Sequence, residues 1–236
     1  MADHILLDTY MAQGFTSIEG WVVPTVAQIL KPISEVQLKH GIIGGVTEIG
    51  IHHGKFFLML CQLLTDNELA LAIDLFGRQD LNIDQSGSGN LNVFLSHVQA
   101  QWKYPQNIVV LEADSIALVA DDLLSRIGRP RLFSIDGGHT VEHTVSDLSL
   151  ASSVIVGGGV VILDDYYNQE WPGVHEGFIK YMIFHNKNLA PFDYHGNKLF
   201  LTTISWTKYY LTSLKKTFLS CKEVSMLGYT VLSIKI

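Results

Sequence analysis

The sequence predicts an α/β fold: a doubly wound, mostly parallel sheet of about seven strands with helices on both faces. Three observations carry that prediction. From Val46 onward, short β-branched apolar runs alternate with longer amphipathic stretches, the pattern of strands crossed over by helices. Nearly every such run ends in an acidic residue. Hydrophobic residues make up 47% of the chain and charged residues 17%, against a usual charged share of about 25%, so a large buried core is expected and disorder is not. At 236 residues, one core with additional elements is expected, because domains average roughly 150 residues.

Residues 1–45 read as a helical extension, apolar from Ile18 to Leu30 around Pro24, with a second turn near Pro32, and ending at Gly41, Gly44 and Gly45. This segment is expected either to lid a crevice or to cover one sheet edge, and residues 46–236 to form the main domain. Strands are predicted at Val46–Ile49, Leu69–Asp74, Ile108–Glu112, Arg131–Ile135, Val160–Leu163 and Leu199–Thr203. Helices are predicted at Lys55–Leu64, Gly89–Gln101, Ser115–Leu124, Thr140–Val156 and Val174–His185, the fourth with Val141, Val145, Leu148 and Ser152 on one face. A further helix near Lys208–Phe218 and a strand pair around Gly228 complete the chain. No repeat or low-complexity tract is visible.

Charge excludes some functions. Sixteen Lys and Arg against 23 Asp and Glu give a net charge of −7, the opposite of a surface that neutralises phosphates, so no nucleic-acid partner is expected. Residues 180–236 hold eight Lys and only two acidic residues, Asp193 and Glu223, which places the chemistry in the acidic part before them. The first basic residue is Lys31 and the longest mostly apolar run is Leu150–Leu163, shorter than the ~20 residues of a spanning helix. A soluble cytoplasmic protein without membrane contact is expected. Cys61 and Cys221 have no metal-motif spacing. Exposed apolar surface on the terminal helices is a candidate homo-oligomer face.

The strand ends carry Glu48, Asp74, Glu112, Asp136 and Asp164. In open α/β sheets ligands bind beyond those carboxyl ends, so five acids in series point to a ligand rich in hydroxyls or amines, or to a metal. Glu48-Ile49-Gly50-Ile51-His52-His53-Gly54 is a strand, a glycine loop and a helix start; Gly50 and Gly54 let main chain approach a nucleotide-like ligand. The spacing matches neither a dinucleotide nor a triphosphate motif. Asp74 follows the second strand, where an acid commonly binds ribose hydroxyls. Asp114 and Ser115 follow the third and serve either a base amine or a helix N-cap.

The most specific stretch is Ser134-Ile135-Asp136-Gly137-Gly138-His139, followed by Gly157-Gly158-Gly159 and then Val160 to Asp164-Asp165-Tyr166. Asp136, Asp164 and Asp165 are expected to converge at the ends of adjacent strands, where a hard divalent cation such as Mg²⁺ relieves their repulsion. His139 lies at the rim of the same crevice with an ordinary pKa near neutrality, fit for a proton acceptor.

These residues resemble the class I S-adenosylmethionine-dependent methyltransferases, within them the metal-dependent O-methyltransferases related to macrolide-sugar methyltransferases and cephalosporin-hydroxylase-like proteins. The likeness runs from about Val46 to Tyr166. Glu48-x-Gly50-x-x-x-Gly54 is similar to the methionine-binding motif, Asp74 to the ribose acid, and Asp114 and Ser115 to the adenine-contact position. Asp136, counted also among the cofactor contacts, would bind Mg²⁺ with Asp164 and Asp165, and His139 would be the base. Lys55-Phe56-Phe57 departs from the smaller residues common after the second glycine. The resemblance implies a Rossmann-like fold and transfer of the sulfonium methyl group to a hydroxyl of a sugar, glycoside or other small polyhydroxylated natural product, with a catechol-like acceptor second. The alternatives are a divergent hydroxylase-like relative and a non-catalytic nucleotide-binding module. Acceptor choice is expected to rest on residues 1–45 and on the region Asn168–Asn197, with the aromatics Tyr166, Tyr167, Trp171, Phe192 and Tyr194 as candidates.

Overall fold

The computed structural model describes residues 4–236, in which helices and strands alternate along the chain. In order they are α1 (Ile5–Gln13), α2 (Val26–Lys39), β1 (Gly45–Ile49), α3 (Lys55–Cys61), β2 (Ala70–Asp74), α4 (Leu91–Gln101), β3 (Ile108–Glu112), α5 (Ala120–Ile127) and β4 (Pro130–Ile135). There follow α6 (Val141–Val154), β5 (Val160–Leu163), α7 (Pro172–Lys180), β6 (Leu189–His195), β7 (Lys198–Thr203), α8 (Thr207–Thr217), β8 (Cys221–Met226) and β9 (Tyr229–Ile234).

The strands form one sheet in the order β3-β2-β1-β4-β5-β7-β6-β9-β8. The first five are parallel, with Glu48 beside Ala72 and Ser134. β7 runs antiparallel to β5 and β6, β9 returns parallel to β6, and β8 closes the edge antiparallel to β9. Strand alternation divides the core. Val46, Ala72, Leu132 and Ile162 face α1–α4 and α8, while Ile49, Ile73, Phe133 and Leu163 face α5–α7. Both faces are covered, which is why the central strands are apolar throughout.

The described residues hold nine strands rather than about seven. β6 went unread because Pro191 removes a ladder donor, and the structure accommodates it with a register shift between Pro191 and Asp193. The predicted pair around Gly228 is β8 and β9, joined to the sheet through β6. Pro32 marks no turn but lies inside α2. An internal proline costs about 3 kcal/mol locally, and here burial of Ile29, Leu30, Ile33 and Val36 outweighs it. The predicted Ser115 helix splits into a 3-10 turn (Ser115–Ala117) and α5, because Leu118 and Val119 are extended. On α6 the buried face is Thr144, Asp147, Leu148, Ala151 and Val154 rather than the stripe through Val141 and Val145.

At the amino ends of the strands a buried polar network ties α2 to the sheet. Arg131 donates to both oxygens of Glu68 at 2.8 and 2.9 Å, to Gln37 Oε1 at 2.5 Å and to the Leu63 carbonyl at 2.6 Å. Gln37 donates back to the Arg131 carbonyl at 2.9 Å. Among the described residues, no helix is long and apolar enough to cross a membrane. Cys61 and Cys221 are free thiols.

Candidate active site

Beyond the carboxyl ends of the parallel strands lies a cavity of about 810 Å³. Six of the seven sequence-predicted cofactor contacts line it: Glu48, Gly50, Asp74, Asp114, Ser115 and Asp136. Gly54 does not; it starts α3, and a side chain there would meet the Phe94 ring. Gly50 has φ +84°, and a Cβ on it would collide with the Asp136 carbonyl. No residue but glycine fits where the β1 and β4 ends approach so closely.

Asp74 folds the glycine loop around itself. Its Oδ2 accepts the main-chain N–H groups of Ile51 and His52 at 2.6 and 2.8 Å, and its Oδ1 accepts that of Phe76 at 2.5 Å. Asp114 caps the turn after β3 by accepting Ile116 N–H at 3.2 Å, so it both caps and lines the cavity. Glu48 is buried and accepts the Ser134 hydroxyl at 2.9 Å. Burial, aided by the nearby Asp136, pushes its pKa well above the carboxylate range.

Beyond the ends of β4 and β5 Asp136, His139 and Asp165 bring one ligand atom each within 4.8 Å of one another. His139 Nε2 lies 3.1 Å from Asp165 Oδ2 and 3.8 Å from Asp136 Oδ1. Its Nδ1 lies 2.7 Å from Asp84 Oδ2, and the Trp171 ring stacks on it with centroids 4.4 Å apart. Burial lowers the His139 pKa, but the carboxylates of Asp136, Asp165 and Asp84 outweigh it and raise the pKa to about 10. Asp165 has φ +55°, an uncommon backbone for a residue with a side chain. Asn168 and Asn197 donate to its Oδ1 at 2.9 and 2.6 Å.

Asp164, grouped with the metal carboxylates by the sequence, turns from this cluster to pair with Lys198, which is 1% exposed. Lys198 also lies 4.1 Å from the centre of the Phe56 ring. Burial pushes the Asp164 pKa up, with Asp136 and Asp165 adding to the effect and Lys198 opposing it. Lys198 and Asp84 escaped the sequence reading. Lys198 sits one residue before the predicted strand, and Asp84 lies in a loop whose composition resembles any surface turn.

The N-terminal extension reaches the same cavity: Glu19, Gly20, Trp21 and Val23 line it, and Lys55 donates to the Gly20 carbonyl at 3.1 Å. His52, on the glycine loop, also lines the cavity, with its ring 5.3 Å from that of Trp21. Of the predicted acceptor aromatics, Trp171 faces the cavity while Phe192 is buried in the core.

This fold is shared with known enzymes. The structure is similar to the O-methyltransferase NovP at 13% identity, with a TM-score of 0.60 over 75% of this chain and 80% of that one. It is similar to CalS11, a TDP-rhamnose 3'-O-methyltransferase of calicheamicin biosynthesis, at 15% identity and TM-score 0.54 over 84% and 92% of the chains. An O-methyltransferase from Bacillus cereus, solved in complex with SAH, matches at 13% identity and TM-score 0.52 over 85% and 90%. No curated protein matches by sequence. At these identities the likeness is one of fold. The sequence itself carries more: residues 47–166, half of the chain, match the family model described as a methyltransferase domain, and the chain belongs to that family.

Proposed function

We propose that the protein is an S-adenosylmethionine-dependent, Mg²⁺-dependent O-methyltransferase acting on a hydroxyl of a sugar, glycoside or other small polyhydroxylated molecule. The observation that carries this reading is the shared cavity: the Gly50 loop, Asp74 and Asp114 line it together with the Asp136, His139 and Asp165 cluster. Its volume of about 810 Å³ lies within the ~300–1,000 Å³ of small-molecule sites and leaves space for an acceptor beside the cofactor. The fold neighbour CalS11, a TDP-rhamnose 3'-O-methyltransferase, supports the acceptor class.

The residues fit both groups. Asp74 spends three acceptor positions on main-chain N–H groups and, of about four such positions on a carboxylate, retains capacity for a ribose hydroxyl. Glu48, Gly50, Asp114 and Ser115 line the cavity, and by the motif likeness the first two would contact the methionine end and the last two the base. Asp136 and Asp165 offer the hard oxygen ligands that Mg²⁺ prefers, with Asp164 beside them tied to Lys198. When bound, the cofactor supplies the methyl group and the cation supplies a Lewis acid for the acceptor oxygen. The pKa of about 10 departs from the near-neutral value the sequence suggested and keeps His139 protonated while Asp136 and Asp165 are uncompensated. With a cation held by those two carboxylates their pull on the proton would fall, and His139 would take the acceptor's proton at Nε2, the ring nitrogen that faces them. Trp171 and the strap through Trp21 line the cavity beside these residues.

Isothermal titration of S-adenosylmethionine and S-adenosylhomocysteine, with Mg²⁺ and with EDTA, tests this reading. Binding is expected in the wild type and lost in Asp74→Ala; no binding under either condition sinks it. Product analysis with sugar and catechol acceptors then decides between methyl transfer and the hydroxylase-like alternative.

A further inference from the structure

Building on the reading of His139 as proton acceptor, we infer that Asp84 is its positioning residue: one carboxylate oxygen fixes both the backbone and the ring of His139 and leaves Nε2 toward the reacting atoms. Asp84 lies on the loop between β2 and α4, and His139 on the loop between β4 and α6, 55 positions along the chain. Asp84 Oδ2 accepts the His139 main-chain N–H at 2.8 Å and lies 2.7 Å from Nδ1. A carboxylate accepts only, so Nδ1 carries a hydrogen in this contact.

The carboxylate is itself held. Asp84 Oδ1 accepts the Ser86 N–H at 3.0 Å and the Ser86 hydroxyl at 2.6 Å. Asn82 Nδ2 in turn donates to the Ser86 carbonyl at 3.1 Å. A loop turn requires only the Ser86 contacts, so Oδ2 is directed wholly to His139. With Asp84 at one edge and Trp171 stacked on its face at 4.4 Å, the ring cannot rotate. Nε2 stays on the side of Asp165 and Asp136. A base oriented by a third group, through the nitrogen that does not react, is a recurrent arrangement in proton transfer. The same loop begins at Asp74 and lines the cavity through Leu75, Asn82 and Ile83, so the residue that orients the base hangs from the cofactor side.

Proton NMR of the protein loaded with Mg²⁺ and S-adenosylhomocysteine tests the contact. A far-downfield, slowly exchanging Nδ1 proton is expected in the wild type, absent in both Asp84→Ala and His139→Ala, and moved upfield in Asp84→Asn, whose amide oxygen still accepts. Absence of the resonance in the wild type, or its persistence in Asp84→Ala, overturns the proposal. In methyl transfer, Asp84→Ala is expected to lower kcat about 10–100-fold with little change in cofactor affinity, partial recovery in Asp84→Asn, and no further loss when added to His139→Ala. An equal loss in the His139→Ala background overturns the positioning role. Unchanged turnover in His139→Ala alone removes the base reading instead, while the resonance still reports whether the contact exists.

Discussion

The two ends of the parallel sheet bury charge in opposite ways. At the amino ends, Arg131 meets Glu68, Gln37 and the Leu63 carbonyl, and Glu68 also accepts the main-chain N–H groups of Gly44 and Thr65. Donors and acceptors there are matched, and the pKa of Glu68 is drawn down by Arg131 against the opposing effect of burial. At the carboxyl ends, Glu48, Asp136, Asp164 and Asp165 crowd around Lys198 and His139, the carboxylates outnumbering the cations. The matched end holds the fold together; the unmatched end keeps capacity for a ligand. A fully satisfied network has nothing left to bind with.

That contrast can be broken from either side. The largest expected effect is at the matched end: Arg131→Met strands Glu68 in the interior and should cost about 3–5 kcal/mol in chemical denaturation, while cofactor affinity of the folded fraction is unchanged. A loss of affinity would show that the two ends are not separate.

At the unmatched end, Asp147 is buried, and among the described residues its oxygens find no hydrogen-bond partner. Burial, with Asp114 adding to it, raises its pKa to about 7. The unfolded chain therefore ionises first as pH rises. Its contribution to stability is full below about pH 4 and is lost through about pH 7, by roughly 4 kcal/mol. Asp147→Asn should flatten the stability profile between those values, and an unaltered profile would reject this account.

A further effect is expected in His139→Ala: roughly 10²-fold lower kcat, with cofactor affinity little changed. Smallest is Thr140→Ala, which removes the hydroxyl that accepts His143 N–H at 3.2 Å at the start of α6. That loss should lower stability by about 1 kcal/mol, and a much larger loss would show that the cap also supports the His139 loop.

The parallel half was legible because its signals are local. Strands such as Val160–Leu163 stand out by composition, and each acid at a strand end marks where the chain turns into the crevice. The cavity gathered Glu48, Asp74, Asp114 and Asp136 from four strand ends, as strand order alone required. Partnership was not legible. That Asp164 turns to Lys198 depends on the register of β5 against β7, where Leu163 faces Leu199. That Asp84 reaches His139 depends on a loop path no periodicity encodes. β6 was hidden because burial sustains a strand through Pro191, where local propensity opposes one.

The β8–β9 hairpin bears on solubility. It places β8 at one margin of the sheet, with Lys222 and Glu223 exposed along it. A free strand edge is a template for pairing with another chain, and charged side chains on it penalise that pairing. The hairpin thus ends an otherwise extendable sheet in a charged border, which guards that edge against edge-to-edge pairing while the crevice at the strand ends stays open.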